Sequence, residues 1–239
     1  MVKFILATAL LAAGSPAGAQ QQTVTFKSAD GCRIEAFYLA PSSSPFVFIN
    51  THGLGSSKNE WGLFQEELKK LGFGYLSLDL RGHNASTSCS GKKTDYKKFS
   101  GADWNKASLD IEAAAGWLNK KGTSPASMIF CGASIGANLS LKAAVEGQLK
   151  PAALILLSPG LEYAGVGAEE YFSSPWNFKI LVTAAGNDPY SWQSSMKLVK
   201  SSGGKARPAD FVNGGSGHGV NMLKNPRVTS GILRWASKL

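Results

Sequence analysis

The pentapeptide Gly132-Ala133-Ser134-Ile135-Gly136 sets a serine hydroxyl between two glycines, each two residues away. A serine hydroxyl is a poor nucleophile until a neighbouring base removes its proton. With 27 Gly and 28 Ser in 239 residues, about 0.35 such matches arise by chance, so the flanking elements must decide what this one means. Residues 127–132 read as a short apolar strand, and 135–145 read as a helix with small residues at Gly136 and Ala137. A strand turning sharply into a helix strains the serine backbone and lifts Oγ clear of the sheet. It also sets Oγ at a helix N-terminus, where developing negative charge is favoured. The two glycines remove side chains that would collide with neighbouring elements.

Only three histidines can serve as the base. His52 directly follows an apolar run at 46–51, and His83 follows another at 74–79. His218 lies in Gly214-Gly215-Ser216-Gly217-His218-Gly219, a loop flexible enough to carry an imidazole over a sheet, and is assigned as the base. The acid must orient that imidazole and stabilise its charged form. Asp188, in Ala184-Ala185-Gly186-Asn187-Asp188, is the leading candidate. Asp79 and Asp210 are rivals, although Asp79 precedes the nucleophile and suits a loop-tying ion pair better. Acyl transfer also needs two donors aimed at the developing oxyanion. The backbone N–H of Ile135 supplies one; His52-Gly53-Leu54-Gly55 supplies the other, assigned to Leu54.

These loops need strands to hold them. Runs at 23–28 and 32–40 flank Asp30-Gly31, a hairpin turn dipeptide. Further strands are expected at 46–51, 74–79, 127–132, 152–158, 178–184 and 207–212, which makes eight. Ser57 and Glu60 have capping-box spacing ahead of a helix marked by Trp61, Phe64, Leu68 and Leu71. Trp104, Ile111, Ala114 and Leu118 mark a second helix, and others are expected around 192–199 and 228–239. A hairpin followed by alternating strands and helices predicts a mostly parallel sheet covered on both faces. Such sheets carry their sites beyond the strands' carboxyl ends, where every candidate residue lies.

Composition bounds the rest. At 239 residues, 44% apolar and 17% charged, the chain suits one globular domain. Lys3, the apolar stretch 4–13 and Ala17-Gly18-Ala19 read as a secretory signal peptide cut near Ala19, leaving a domain over 20–239 in a secreted or periplasmic protein. About ten apolar residues cannot span a ~30 Å hydrocarbon core, and no later segment is long and apolar enough to do so. Losing Lys3 takes the formal charge from +9 to +8. Part of the excess sits in Lys92, Lys93, Lys97 and Lys98, read as a solvated loop; no nucleic-acid-binding motif accompanies it. The three cysteines show neither CxxC nor metal-ligand spacing, so no metal or redox cofactor is expected.

Taken together, His52-Gly53-Leu54-Gly55, Asp79-Leu80-Arg81-Gly82-His83, Gly132 to Gly136, Gly186-Asn187-Asp188 and Gly217-His218-Gly219 resemble the α/β-hydrolase superfamily. The Asp-x-Arg-Gly-His segment resembles the branch of monoacylglycerol-lipase-like and serine-aminopeptidase-like enzymes. Dienelactone-hydrolase-like proteins are a near alternative, but that resemblance implies a cysteine where this chain has Ser134. Asn84 departs from the branch, which usually has glycine there. Only residues 159–177 separate two strands where relatives insert a large lid, so a minimal cap is expected. Trp61, Tyr163, Tyr171 and Trp176 are candidate pocket residues. In that fold the second strand runs antiparallel to the fourth, which implies a Cys32–Cys89 disulfide, with Cys131 an inert core thiol. The resemblance implies a carboxylesterase acting on a small-molecule ester through an acyl-enzyme. A thioesterase, an aminopeptidase (with Glu162, Glu169 or Glu170 holding the substrate amine) and a non-catalytic binding protein are the alternatives.

Overall fold

A computed structural model describes residues 20–204 and 208–239. The expected signal peptide, 1–19, lies outside the described residues. The chain opens with the hairpin β1 (Gln22–Lys27) and β2 (Cys32–Leu39), followed by β3 (Val47–Thr51), α1 (Gly62–Lys70) and β4 (Gly74–Leu78). Two-residue strands β5 (Ser88–Cys89) and β6 (Lys92–Lys93) precede α2 (Gly101–Lys106) and α3 (Ser108–Lys120). Next come β7 (Met128–Ala133), α4 (Ile135–Glu146) and β8 (Ala153–Leu157). A small hairpin, β9 (Glu162–Tyr163) and β10 (Val166–Gly167), leads to α5 (Glu169–Ser173). The chain closes with β11 (Lys179–Ala184), α6 (Pro189–Ser201), β12 (Asp210–Asn213) and α7 (Pro226–Ala236).

The sheet order is β12-β11-β8-β7-β3-β4-β2-β5-β6, with β1 paired to β2. Strands β12 through β4 in that order are parallel, while β2 is antiparallel to β4. The eight expected strands are therefore present, and β5 and β6 extend the sheet by two short steps. The expected second helix is divided at Ala107 into α2 and α3.

The inner parallel strands β3, β4, β7, β8 and, beyond Lys179, β11 are buried on both faces, and their side chains alternate between two cores. On β7, Met128 and Phe130 pack with α3 and α4 residues such as Ile111, Leu118 and Leu139. Ile129, Cys131 and Ala133 face the other way, against Phe64 and Leu68 of α1 and Val228, Ile232 and Leu233 of α7. This two-residue period is what a strand sandwiched between helical layers requires. Only β9, β10 and α5 stand between β8 and β11, so the cap is small. It is pinned from below: the buried Asn138 on α4 donates to Gly160 O and Val166 O and accepts from Gly160 N–H.

Cys32 and Cys89 are register partners across β2 and β5 and are joined by a disulfide (Cα–Cα 3.7 Å). Beside it Arg81 is buried between Asp110 and Asp30, donating from Nε and Nη2 to Asp110 Oδ1 at 3.0 and 2.8 Å. Cys131 is buried and free, and burial pushes its thiol up. Among the described residues no helix is long and apolar enough to cross a membrane.

Candidate active site

Strand β7 delivers Ser134 with φ 56° and ψ −125°, a region costly for any residue with a Cβ. The turn is possible because its neighbours are glycines. A Cβ at Gly132 would overlap the Gly136 backbone, and one at Gly136 would overlap the carbonyls of Thr51 and His52. The Ser134 N–H is held by Leu157 O at 2.8 Å. Ile135 opens α4, so its N–H has no acceptor within the helix and is free to serve a ligand.

After β3, the His52–Gly55 loop is tied on both sides of Leu54. Gly53 N–H donates to Glu60 Oε1 at 3.0 Å, and Gly55 N–H donates to His83 Nε2 at 3.2 Å. The Leu54 N–H between them has no acceptor among the described residues. His52 and His83 are therefore structural. His52 Nε2 accepts from Leu80 N–H at 3.0 Å, and His83 Nδ1 meets Arg81 O at 3.0 Å. Burial, followed by the neighbouring His83, lowers the His52 pKa to about 3; burial lowers His83 as well.

Beyond β12, Gly214-Gly215-Ser216-Gly217-His218-Gly219 carries positive φ at Gly215, Gly217 and Gly219. The loop is anchored by Gly217 N–H on Asn187 Oδ1 and Gly219 N–H on Ser158 Oγ, both 2.9 Å. His218 Nδ1 meets Asp188 Oδ2 at 2.5 Å, which leaves Nε2 as the free ring nitrogen. Burial raises the Asp188 carboxyl, but hydrogen bonds from Ser191 and His218 and the histidine's charge outweigh it, and its pKa is lowered. The rival acids are engaged elsewhere. Asp79 accepts from Lys58 Nζ (2.6 Å), Lys58 N–H and Asn84 Nδ2, while Asp210 accepts from Trp235 Nε1. Asn84 takes positive φ, the conformation for which asparagine is the best substitute for glycine.

Ser134 and His218 line one cavity of about 230 Å³, with Gly53, Leu54, Glu60, Leu63, Phe64, Val220 and Leu223 among its walls. Three of the four expected pocket aromatics lie elsewhere. Trp61 is wholly buried against Phe64 in the α1 core. Tyr171 is buried with its hydroxyl on Glu146 and Lys142, and Trp176 lines a separate hollow near Leu149. Aromatic residues near a site pack as readily beneath it as into it.

Tyr163 stands beside the site: its ring meets His218 edge-on at 6.2 Å, and its hydroxyl lies 2.9 Å from Ser191 Oγ. Burial pushes Tyr163 up to about 12, against hydrogen bonds from Ser191 and Ser134. Ser191 Oγ in turn lies 3.3 Å from His218 Nδ1. Ser191 and Glu60 were not foreseen as site residues. The spacing of Ser57 and Glu60 mimics a capping box, but Ser57 Oγ accepts from Asn59 N–H, and Glu60 turns to Gly53 N–H and Ser56 Oγ. Among the described residues no group of three or more His, Cys, Asp or Glu side chains could hold a metal.

A family model described as serine aminopeptidase, S33, matches residues 45–187, a span that includes the His52–Gly55 loop and Ser134. The chain belongs to the serine aminopeptidase (S33) family. Its fold is that of an α/β hydrolase. The match ends one residue before Asp188. Two curated relatives, Uncharacterized protein MT2364 and Uncharacterized protein Rv2307c of Mycobacterium tuberculosis (strains CDC 1551 / Oshkosh and H37Rv), are each 29% identical over 165 residues. The alignment covers 67% of this S33-family chain and spans about half, 51%, of the relatives' length. Among solved structures, the Pyrococcus furiosus esterase Pf2001 superposes with a TM-score of 0.75 at 16% identity, over 92% of this chain and 93% of that one. A predicted CIB-like hydrolase from Thermoplasma acidophilum gives 0.70 at 17%, over 93% and 100%. A thermophilic esterase from Thermogutta terrifontis gives 0.68 at 15%, over 91% and 98%. These likenesses establish the fold of this S33-family chain.

Proposed function

We propose that this chain is a carboxylesterase that cleaves small or medium acyl esters through an acyl-enzyme on Ser134. The observation that carries the reading is one cavity containing the strained Ser134 and His218, with Asp188 on the far nitrogen of the imidazole. His218 Nε2 takes the Ser134 proton as Oγ attacks the carbonyl, and Asp188 stabilises the imidazolium. The N–H groups of Leu54 and Ile135 receive the oxyanion. The imidazolium then protonates the leaving alcohol, and water activated by the same base releases the acid. A cavity of about 230 Å³ falls below the ~300–1,000 Å³ usual for drug-sized ligands, which favours a short substrate arm. Solved neighbours described as esterases point the same way.

An aminopeptidase reading draws support from the family's description, but it needs a carboxylate free to hold the substrate amine. Glu162, Glu169 and Glu170 do not line the cavity, and Glu169 is paired with Lys197. Glu60 does line it, yet one of its oxygens accepts from Gly53 N–H and the other from Ser56 Oγ. Action outside the cytoplasm is part of the proposal. It is supported by the signal-like stretch 1–19 and by the Cys32–Cys89 disulfide, which suits an oxidising compartment.

The test is a panel of chromogenic esters, thioesters and aminoacyl amides assayed with wild type and Ser134→Ala. Esters should be cleaved fastest, and Ser134→Ala should lose about 10⁴-fold or more in kcat with an unchanged circular dichroism spectrum. Activity retained in that variant would sink the assignment.

A further inference from the structure

The cavity above Ser134 does not stand alone. It shares Leu63, Leu223 and Lys224 with a second hollow of about 220 Å³ between α1 and α7, whose other walls are Glu67, Pro226, Thr229 and Ser230. Near Ser134 the apolar Leu54, Leu63, Phe64, Val220 and Leu223 share the walls with Ser56, Glu60 and Asn221, and Glu60 is engaged by Gly53 N–H and Ser56 Oγ. Leu54 and Leu63 are also more than half exposed, an unusual state for two large apolar side chains at the lip of one cavity. Past Lys224 the walls combine Leu63, Leu223 and Pro226 with Glu67, Thr229 and Ser230. Glu67 is occupied by Lys70 Nζ at 2.6 Å, whereas Lys224 has no ion-pair partner among the described residues. The junction of the two hollows thus carries a lysine with no direct ion-pair partner among the described residues, while the nearby carboxylates of Glu60 and Glu67 are engaged by Gly53, Ser56 and Lys70. The groove also runs between α1 and α7, on the sheet face opposite the α3–α4 core over which the small cap is pinned.

We propose that the two hollows form one substrate groove, selecting esters whose apolar arm beside the scissile carbonyl ends in a carboxylate held by Lys224. The proposal rests on the esterase reading and names the substrate class of that site. The first hollow, at about 230 Å³, is small and favours a short arm. A half-ester of a six-carbon diacid is a short arm of this kind with a free carboxylate at its far end. A neutral chain of equal length gains the same apolar contacts and leaves Lys224 unpaired. An exposed lysine–carboxylate contact is weaker than a buried one. The expected discrimination is therefore about three- to tenfold.

The test compares kcat/KM for 4-nitrophenyl hydrogen adipate and 4-nitrophenyl hexanoate in wild type and in Lys224→Met. Wild type should prefer the adipate three- to tenfold, and Lys224→Met should bring the ratio close to one, by raising KM for the adipate. Ser230→Trp, which fills the second hollow, should penalise the longer suberate half-ester more than the adipate. A preference for hexanoate, or a ratio unmoved by Lys224→Met, overturns the proposal. Calorimetric titration of Ser134→Ala with monomethyl adipate and methyl hexanoate separates binding from catalysis. If neither ester is hydrolysed but adipate binding still depends on Lys224, the esterase reading falls and the groove stands. If binding shows no such dependence, the groove falls.

Discussion

At the scale of single residues, the site is held by neutral and charged hydrogen bonds one step behind the proposed triad. Tyr163 and Ser191 are positioning residues: Ser191 reaches His218 Nδ1, and Tyr163 reaches Ser191 and Ser158 O. Tyr163→Phe should lower kcat about tenfold and leave KM nearly unchanged, with a matching loss in Ser191→Ala. A rise in KM alone would make Tyr163 a pocket wall instead. Asp188→Asn should cost about 10³–10⁴ in kcat, because the carboxylate that fixes the imidazole tautomer is lost. That loss is checked by steady-state kinetics on the best ester of the panel. Ser134 was legible in the sequence because the glycines two residues either side of it have a steric reason to be there, and each fills a space no Cβ could share. Glu60 was misread because its spacing from Ser57 fits a helix cap, and only the fold turns it to Gly53 N–H and Ser56 Oγ. Ser191 left no signal at all, since one serine among 28 is invisible until a fold brings it to a histidine.

At the scale of elements, the His52–Gly55 loop depends on two histidines that must stay neutral. Each imidazole accepts a backbone N–H at Nε2, which a protonated ring cannot do. Because the folded pKa of His52 lies below its unfolded value of about 6.5, the unfolded chain binds the extra proton first as pH falls. The stability contribution is complete above about 6.5 and is lost as pH falls towards about 3. Between pH 7 and pH 5 His52 alone should remove about 2 kcal/mol from the unfolding free energy, and His83 adds in the same direction. Urea unfolding across that range should show a flatter pH dependence in His52→Asn, which keeps a donor and an acceptor without titrating. An unchanged slope would show that the depressed pKa is not realised. The eight long strands were readable because their apolar runs and turn residues recur at full length. The two-residue strands β5, β6, β9 and β10 were not, since two residues cannot display an alternation.

At the scale of the whole molecule, the antiparallel edge is fastened to the parallel core by covalent and ionic links side by side. The disulfide closes 57 residues between β2 and β5, and Arg81 joins the β1–β2 turn at Asp30 to α3 at Asp110. Removing the disulfide in a Cys32→Ala/Cys89→Ala protein should lower the unfolding free energy by about 2–4 kcal/mol. Denaturation with and without reductant measures it, and an equal midpoint in both would show that the link contributes nothing. Arg81 and His83 occupy the same loop, so this fastening continues through His83 to Gly55 and the Leu54 amide. The aromatic pocket was where sequence reasoning fell short. Trp61, Tyr171 and Trp176 all stand near loops of the right kind, but whether a ring points up into a cavity or down into a core depends on packing that no short motif encodes.

One short rim strand of this sheet has a further effect. Lys92 and Lys93 make up all of β6, exposed at the rim where unpaired backbone groups would invite another strand. Two adjacent ammonium groups there repel the same rim of a second molecule and keep it at a distance. The pair reads in the sequence as part of a solvated loop; in the fold its charge disfavours a partner strand at this two-residue rim, while β1 forms the long edge beyond β2.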